Sequence, residues 1–264
     1  MIGFIGSGNM AQAMFGGMIK AGYPAENIIV TGIDQKQLEE KKAQYGVQIS
    51  GDNREAAKGD VVVLAVKPHQ IQSVITQIKE VVTDETIVVS VAAGITLAQM
   101  FEWFGRELKL VRTMPNTPAL VGEGMTAIVP GPLLTPHDVE RVVAIFNSFG
   151  KSQIVPESAI HGIIAVAGSS PAYVYMFIEA LADGAVLKGI PRSQAYELAS
   201  QAVLGAAKMV LETGQHPGAL KDAVCSPGGT TIQAVAQLEK SGFRQSVLAA
   251  MEACADKSRQ MSGE

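Results

Sequence analysis

The sequence predicts an α/β domain followed by an all-α domain, and three observations carry that reading. Up to about residue 156, short apolar runs alternate with segments of helical period, the pattern of a parallel sheet covered by helices. From Glu157 onward only the helical period remains. The chain also opens on an apolar run, Ile2-Gly3-Phe4-Ile5, that passes through a glycine-rich turn into a helix. The expected domains are residues 1–156 and 157–264.

The opening glycines give the first functional reading. Gly6-x-Gly8-x-x-Ala11, between a strand and a helix, is the fingerprint of a Rossmann-type dinucleotide-binding domain with Ala in the third small position. Gly6 permits a tight turn, Gly8 lets a pyrophosphate approach the backbone, and Ala11 lets the helix pack closely on the strand. The helix, expected from Met10 to Ala21 and closed by Gly22, turns free N–H groups and the positive end of its dipole toward the phosphates. A plain strand–turn–helix corner is the alternative reading of such a motif.

Bulk properties narrow the class. A length of 264 residues and 47% apolar content suffice for two domains with a large core. A net charge of −4 argues against a broad surface for nucleic acid or anionic membrane. Cys225 and Cys254 form no CxxC pair, which points to a reduced, cytoplasmic setting. No basic stretch with a cleavage site precedes the first strand, so no secretory signal is expected. The apolar runs are broken by polar residues or Gly and read as too short to span a bilayer.

Taken in order, Asn27–Thr31 reads as a second strand and Gln35–Tyr45 as a charged helix. The end of that strand meets the adenosine ribose in a dinucleotide fold. Asp34 there either contacts the ribose or caps the next helix, and Gly32 supplies no side chain, so NADPH and NADH both stay open. Val47–Ile49 is a short strand, and Asn53 reads as the N-cap of a brief helix ending near Gly59. Asp60–Val66 is a near-continuous apolar strand whose carboxyl end brings Ala65, Val66, Lys67 and Pro68 to the ligand crevice. Pro68 suits the first turn of a helix running to Val82. Thr86–Val91 follows, then Ala92-Ala93-Gly94, whose small side chains leave room for a flat ring or make a tight turn before Thr96, an expected N-cap. Lys109–Met114 leads into Pro115-Asn116-Thr117-Pro118-Ala119, expected as a stiff extended loop. Strands at Thr126–Val129 and Gln153–Val155 flank a helix from Pro136 to Phe149.

The second half opens with helices of apolar, small-residue character, Ile160–Ala167 and Pro171–Lys188. Ser193–Thr213 and shorter helices up to Ser258 follow. Helices rich in Ala and Gly on nearly every face need other helices around them, and the core of an obligate dimer supplies these. Among them, Ser226-Pro227-Gly228-Gly229-Thr230-Thr231 opens a helix near Thr231. Its free N–H groups suit a carboxylate, while a Gly-rich turn with Thr as N-cap fits the same residues.

Taken together, these blocks resemble the pyrroline-5-carboxylate reductases over essentially the whole chain. The likeness rests on Phe4-Ile5-Gly6-Ser7-Gly8-Asn9-Met10, Ala65-Val66-Lys67-Pro68, Ala92-Ala93-Gly94 and Met114-Pro115-Asn116-Thr117-Pro118. It continues in Gly168-Ser169-Ser170-Pro171-Ala172-Tyr173, in the run from His216 to Asp222, and in Ser226–Thr231. The resemblance implies that Gly6, Ser7, Gly8, Asn9 and Met10 hold a cofactor pyrophosphate, with Asn53 on its adenosine side. Val66, Lys67 and Pro68, beside Ala65, would line the cofactor cleft, and Ala92, Ala93 and Gly94 its nicotinamide end. The loop of Val224, Ser226, Gly228, Gly229 and Thr230 would bind the substrate carboxylate, and Thr231 would be the catalytic hydrogen-bonding group at the ring nitrogen. The implied activity is hydride transfer from NADPH, or NADH, to 1-pyrroline-5-carboxylate, giving L-proline. Residues 1–156 would then bind the dinucleotide, and residues 157–264 would dimerise and bind substrate. In the family the helical halves interlock as homodimers, and five dimers can form a decamer. Many members carry Arg or Ser where Gly32 stands here, a departure that bears on NADPH.

The chemistry suits these residues. An iminium carbon is already electrophilic, so positioning and one hydroxyl at nitrogen suffice. His69, His137, His161 and His216 are scattered and do not show zinc-site spacing. Two rivals fit less well. A β-hydroxyacid dehydrogenase uses a lysine early in its helical half, and none occurs between Lys151 and Lys188. A non-catalytic nicotinamide sensor has no need of a carboxylate loop such as Ser226–Thr231.

Overall fold

In the computed structural model, which describes residues 1–263, the apolar runs of the first half become eight strands of one sheet. The chain runs β1 (Ile2–Ile5), α1 (Asn9–Lys20), β2 (Ile28–Thr31), α2 (Gln35–Tyr45), β3 (Gln48–Ser50), α3 (Asn53–Ala56) and β4 (Val61–Leu64). It continues with α4 (Ile71–Ile78), β5 (Ile87–Ser90), α5 (Leu97–Phe104), β6 (Lys109–Met114), β7 (Gly124–Pro130), α6 (Pro136–Asn147) and β8 (Gly150–Ile154). The strand order is β3-β2-β1-β4-β5-β6-β7-β8, so the winding reverses between β1 and β4. That reversal opens a crevice at the strands' carboxyl ends.

The sheet is apolar on both faces because helices cover both. Along β4, Val62 and Leu64 join a cluster with Ile71, Ile75 and Met100, while Val61 and Val63 join one with Met14, Phe15 and Phe146. This is the two-residue alternation of a strand read by two helical layers. Each fully buried side chain of this size contributes about 2 kcal/mol. The sheet also buries a guanidinium: Arg112 on β6 is 2% exposed, and its Nη1 lies 2.8 Å from Oε1 of Glu157. The same oxygen accepts the Leu97 N–H at 3.0 Å, which ties the sheet to α5 and to the start of the second half.

Three local expectations need correction. β7 runs antiparallel to β6, because residues 115–123 are too few for the crossover that a parallel pair requires. Pro115–Ala119 is not extended: Thr117–Val121 forms a 3-10 turn closed by Gly122 in the left-handed region. Asn116 explains it, since its amide donates to the Ala167 carbonyl at 2.9 Å and accepts the Met125 N–H at 2.8 Å. Asn53 is not the cap of α3. Asp52 is, accepting the Arg54 N–H at 3.0 Å, which releases the Asn53 side chain.

The second half is helical. After α7 (Ile160–Ile163) comes a π-helical turn, Ile164–Gly168, and then α8 (Ser170–Leu187), α9 (Arg192–Thr213), α10 (Pro217–Ala223), α11 (Thr230–Lys240) and α12 (Phe243–Ser262). Two compact units result: Met1–Ser169 with the chain from Cys254 on, and Ser170–Ala253. Within the second unit, the buried side chains of α8 and α9 are Ala182, Ala195 and Ala199, whereas Tyr175, Met176, Leu187, Leu198 and Leu211 are exposed. Small residues inside and large apolar ones outside mark a surface built for association. The continuous helical run Glu157–Leu187, with a mean hydropathy of 1.3, is long and apolar enough to cross a membrane. The sequence reading missed it by counting its pieces apart, whereas the helix passes through Gly162, Gly168 and Ser169 by way of the π turn.

Candidate active site

At the mouth of α1 the two glycines do different work. Gly6 sits at φ +112°, and a Cβ there would stand 2.4 Å from the Ala65 carbonyl oxygen, so both backbone strain and the close approach of β4 exclude a side chain. Gly8 is the N-cap of α1 in an ordinary extended conformation, and no described side chain caps the helix. A Cβ on Gly8 would meet no described atom within 4 Å. The mouth is thus an open cradle of unpaired N–H groups at a positive helix end, the geometry that takes a pyrophosphate.

The cleft beside it measures about 540 Å³, within the range of cofactor sites. It gathers Gly6, Ser7, Gly8, Asn9 and Met10 from the first turn with Asn53 and with Ala65, Val66, Lys67 and Pro68 after β4. Ala92 and Ala93 close its far end, while Gly94 is buried behind them at φ +77°. Of the described residues lining it, Lys67 alone is charged, which suits a polyanionic ligand. Gln37, Gln70, Ser73 and Gln77 also line it, and sequence reading passed over them. Ser73 and Gln77 are four residues apart on α4, a spacing that puts two polar side chains on one helix face.

Asn53 reaches the cleft through a short relay. The Thr31 hydroxyl donates to Asn53 Oδ1 at 2.8 Å, and Asn53 Nδ2 donates to Gln77 Oε1 at 2.9 Å. Asp34 turns away: its carboxylate accepts the Gln37 N–H at 3.1 Å and caps α2. The Ser7 hydroxyl donates to Gln37 Oε1 across from Gly32. The β2 end of the cleft therefore presents amide and hydroxyl groups. A larger cleft of about 690 Å³, beside Tyr23, Asp60 and Arg141, lies at the opposite edge, where β1 and β4 begin. Ligands of such sheets bind at the carboxyl ends.

The loop before α11 forms a second helix mouth, in the other unit. Gly228 takes φ +70°, the Gly229 N–H donates to the Ser226 carbonyl at 3.0 Å, and Gly229 is the N-cap. Of the two readings of this loop, the one with Thr as the N-cap does not hold; Thr230 and Thr231 are the first two helical residues, so their hydroxyls are not spent on capping the helix. Val224, Ser226, Gly228, Thr230 and Thr231 are exposed and Gly229 half-buried. Just upstream, Lys221 Nζ donates to Asp222 at 2.6 Å, a hydrogen bond that holds the ammonium above its usual range.

Comparison with known proteins shows the family. The profile of the family described as pyrroline-5-carboxylate reductase dimerisation matches residues 157–261, and that of NADP oxidoreductase, coenzyme F420-dependent, matches residues 1–94. The chain is 49% identical to the pyrroline-5-carboxylate reductase of Escherichia coli, over 99% of this chain and 98% of the relative. The structure of a Coxiella burnetii pyrroline-5-carboxylate reductase superposes with a TM-score of 0.94 at 38% identity, over 99% of this chain and 98% of that one. The Plasmodium falciparum pyrroline carboxylate reductase with NADP bound gives 0.89 at 34% identity, over 99% and 97%. With end-to-end identity of this order, the chain belongs to the pyrroline-5-carboxylate reductase family.

Proposed function

We propose that this chain reduces the C5=N bond of 1-pyrroline-5-carboxylate to give L-proline, the last step of proline biosynthesis. NADPH is the proposed donor, with NADH as the alternative. The observation that carries the reading is the uncapped glycine mouth of α1, in a chain that aligns end to end with reductases of this name. A relative that superposes on this chain is described with NADP bound, and the amide and hydroxyl groups at the β2 end of the cleft accommodate a 2′-phosphate.

The residues divide the work. The N–H groups around Gly6, Ser7, Gly8, Asn9 and Met10 bind the pyrophosphate, and Lys67 offsets its charge. Asn53, held by Thr31 and Gln77, serves the adenosine side. Val66 and Pro68 with Ala65 wall the cleft, and Ala92, Ala93 and Gly94 shape the nicotinamide end. The bound cofactor supplies the hydride. In the substrate loop from Val224 to Thr230, the backbone N–H groups that do not already donate to a carbonyl, helped by Ser226, hold the carboxylate. The Thr231 hydroxyl hydrogen-bonds the ring nitrogen and orients C5. Charge on that nitrogen makes C5 electrophilic, so orientation supplies much of the rate.

In this reading residues 1–156 bind the dinucleotide, and residues 157–264 dimerise and carry the substrate loop. The exposed apolar side chains of α8 and α9, in the region matched by the dimerisation profile, support a homodimer, with five dimers as the larger assembly. A second copy of the chain, rather than a bilayer or nucleic acid, is the proposed partner, in the cytoplasm. A side-by-side kinetic assay with NADPH and NADH tests the activity: oxidation of either on addition of pyrroline-5-carboxylate supports it, and no turnover with both rejects it. Light scattering tests the assembly, and a stable, active monomer rejects it.

A further inference from the structure

Ala92, Ala93 and Gly94 bring few side-chain atoms of their own to fix the turn they form, so its position must be set from outside. The cleft lies on one side of it. On the other side lies the end of α12, which belongs to the same compact unit as the sheet from Cys254 on. Ala255, Ser258 and Ser262 recur at spacings of three and four and are buried, a stripe of small residues that lets the helix come close. Cys254 packs against the core cluster that includes Ala92, Ile95 and Ile164, and its thiol donates to the Ser169 hydroxyl at 3.2 Å. The last turn reaches Gly94 itself: Cβ, the carbonyl oxygen and the carbonyl carbon of Met261 lie 3.4, 3.4 and 3.6 Å from where a Gly94 Cβ would stand.

One buried polar contact anchors this stretch of helix. Ser258 Oγ and His161 Nδ1 share a hydrogen bond of 2.8 Å, with the two residues 6% and 4% exposed. The Ser262 hydroxyl adds bonds to the Ser258 and Arg259 carbonyls at 3.2 and 3.0 Å, which closes the final turn. We infer that the last turns of α12 hold the Ala92–Gly94 turn in place for the nicotinamide ring, with Ser258 as a positioning residue that acts through the helix and never touches the cofactor. This rests on the proposed assignment of Ala92–Gly94 to the nicotinamide end. Removing the Ser258 hydroxyl withdraws a hydrogen bond in a dry place, so the helix end shifts and the turn loses its backing.

The test uses the full chain with NADPH and 2′,5′-ADP as probes. In Ser258→Ala, kcat should fall about tenfold, because a small misplacement of a reacting ring is costly. The KM for pyrroline-5-carboxylate and the affinity for 2′,5′-ADP should stay within about twofold, since neither involves the turn. The emission of bound NADPH should move toward that of the free cofactor, a readout that a general loss of stability does not move. Met261→Gly, at a half-exposed site where the fold tolerates change, should give the same pattern and decides the matter where Ser258→Ala fails to fold. Unsubstituted kcat and emission in Met261→Gly, and in Ser258→Ala where it folds, overturn the inference. Failure of the nicotinamide assignment looks different: the unsubstituted protein itself would bind NADPH with no change in emission, and the inference would fall with it.

Discussion

Gly6 and Gly228 both hold left-handed φ values, +112° and +70°, and each lies just before a helix whose first N–H groups no described side chain caps. Around Gly6 the chain is walled in, with the Ala65 carbonyl 2.4 Å from a would-be Cβ and β1 fully buried. A Cβ on Gly228 would meet no described atom within 4 Å, and the loop is held by its own Ser226–Gly229 hydrogen bond. The first mouth takes its shape from the sheet beneath it; the second takes its shape from local backbone preferences. A site held by core packing is rigid before its ligand arrives, whereas an exposed loop belongs to the low-stability end of a structure.

The sharpest way to break that comparison is to place the same methyl group at both glycines. Gly6→Ala should cost about 3 kcal/mol or more, since left-handed strain adds to a clash with backbone that cannot move aside. Gly228→Ala pays the strain alone, about 1–2 kcal/mol. Thermal melts of the two variants measure both, and equal losses would erase the distinction between a packed mouth and a free one.

Next in size is the chemistry of the exposed mouth. Thr231→Ala removes one preorganised donor at the reacting nitrogen and should lower kcat about a hundredfold. Its KM for NADPH should not change, and Thr231→Ser should recover most of the loss; steady-state kinetics on the three proteins show whether the hydroxyl matters. Gly8 then separates binding from folding within the first mouth. Its φ of −71° suits any residue and the space before it is open, so Gly8→Val should fold, with about 1 kcal/mol lost because Val is a poorer N-cap than Gly. The new side chain fills the pyrophosphate cradle and should raise the cofactor dissociation constant about thirtyfold. A titration of NADPH fluorescence reads it, and unchanged affinity would move the pyrophosphate elsewhere.

The same contrast explains what could be read from residues alone. Elements built on period and apolar runs were legible: Gln35–Tyr45 and Lys109–Met114 fall where the pattern puts them, and β4 is buried as its Val-rich run demands. Strand direction was not, because an apolar run looks alike either way; only the shortness of residues 115–123 betrays the antiparallel β7. Polar residues with distant partners were misread for a related reason. Asn53 and Asn116 suit caps and turns by composition, yet their amides answer Thr31 and Gln77, and Met125 and Ala167, up to 51 residues away. Ser258 gave no local sign at all, since its partner His161 is 97 residues distant.

Asp34 offers the smallest and most discriminating test, because two readings of one carboxylate predict different readouts. As the cap of α2 it accepts the Gln37 N–H, and such a contact contributes about 1 kcal/mol to stability. As a ribose ligand it would instead favour NADH, whose free 2′-hydroxyl an acid can accept, over NADPH. Asp34→Ala should therefore lower the melting temperature by a few degrees, as a loss of about 1 kcal/mol does in a chain of this size. The ratio of kcat/KM for NADPH to that for NADH should stay where it was. Asp34→Asn, which keeps a capping oxygen while losing the charge, should restore the melt without moving that ratio. A ratio that shifts toward NADPH in both variants would return the carboxylate to the cofactor. The packed mouth would then owe part of its selectivity to a side chain that the helix cap holds only when the cofactor is away.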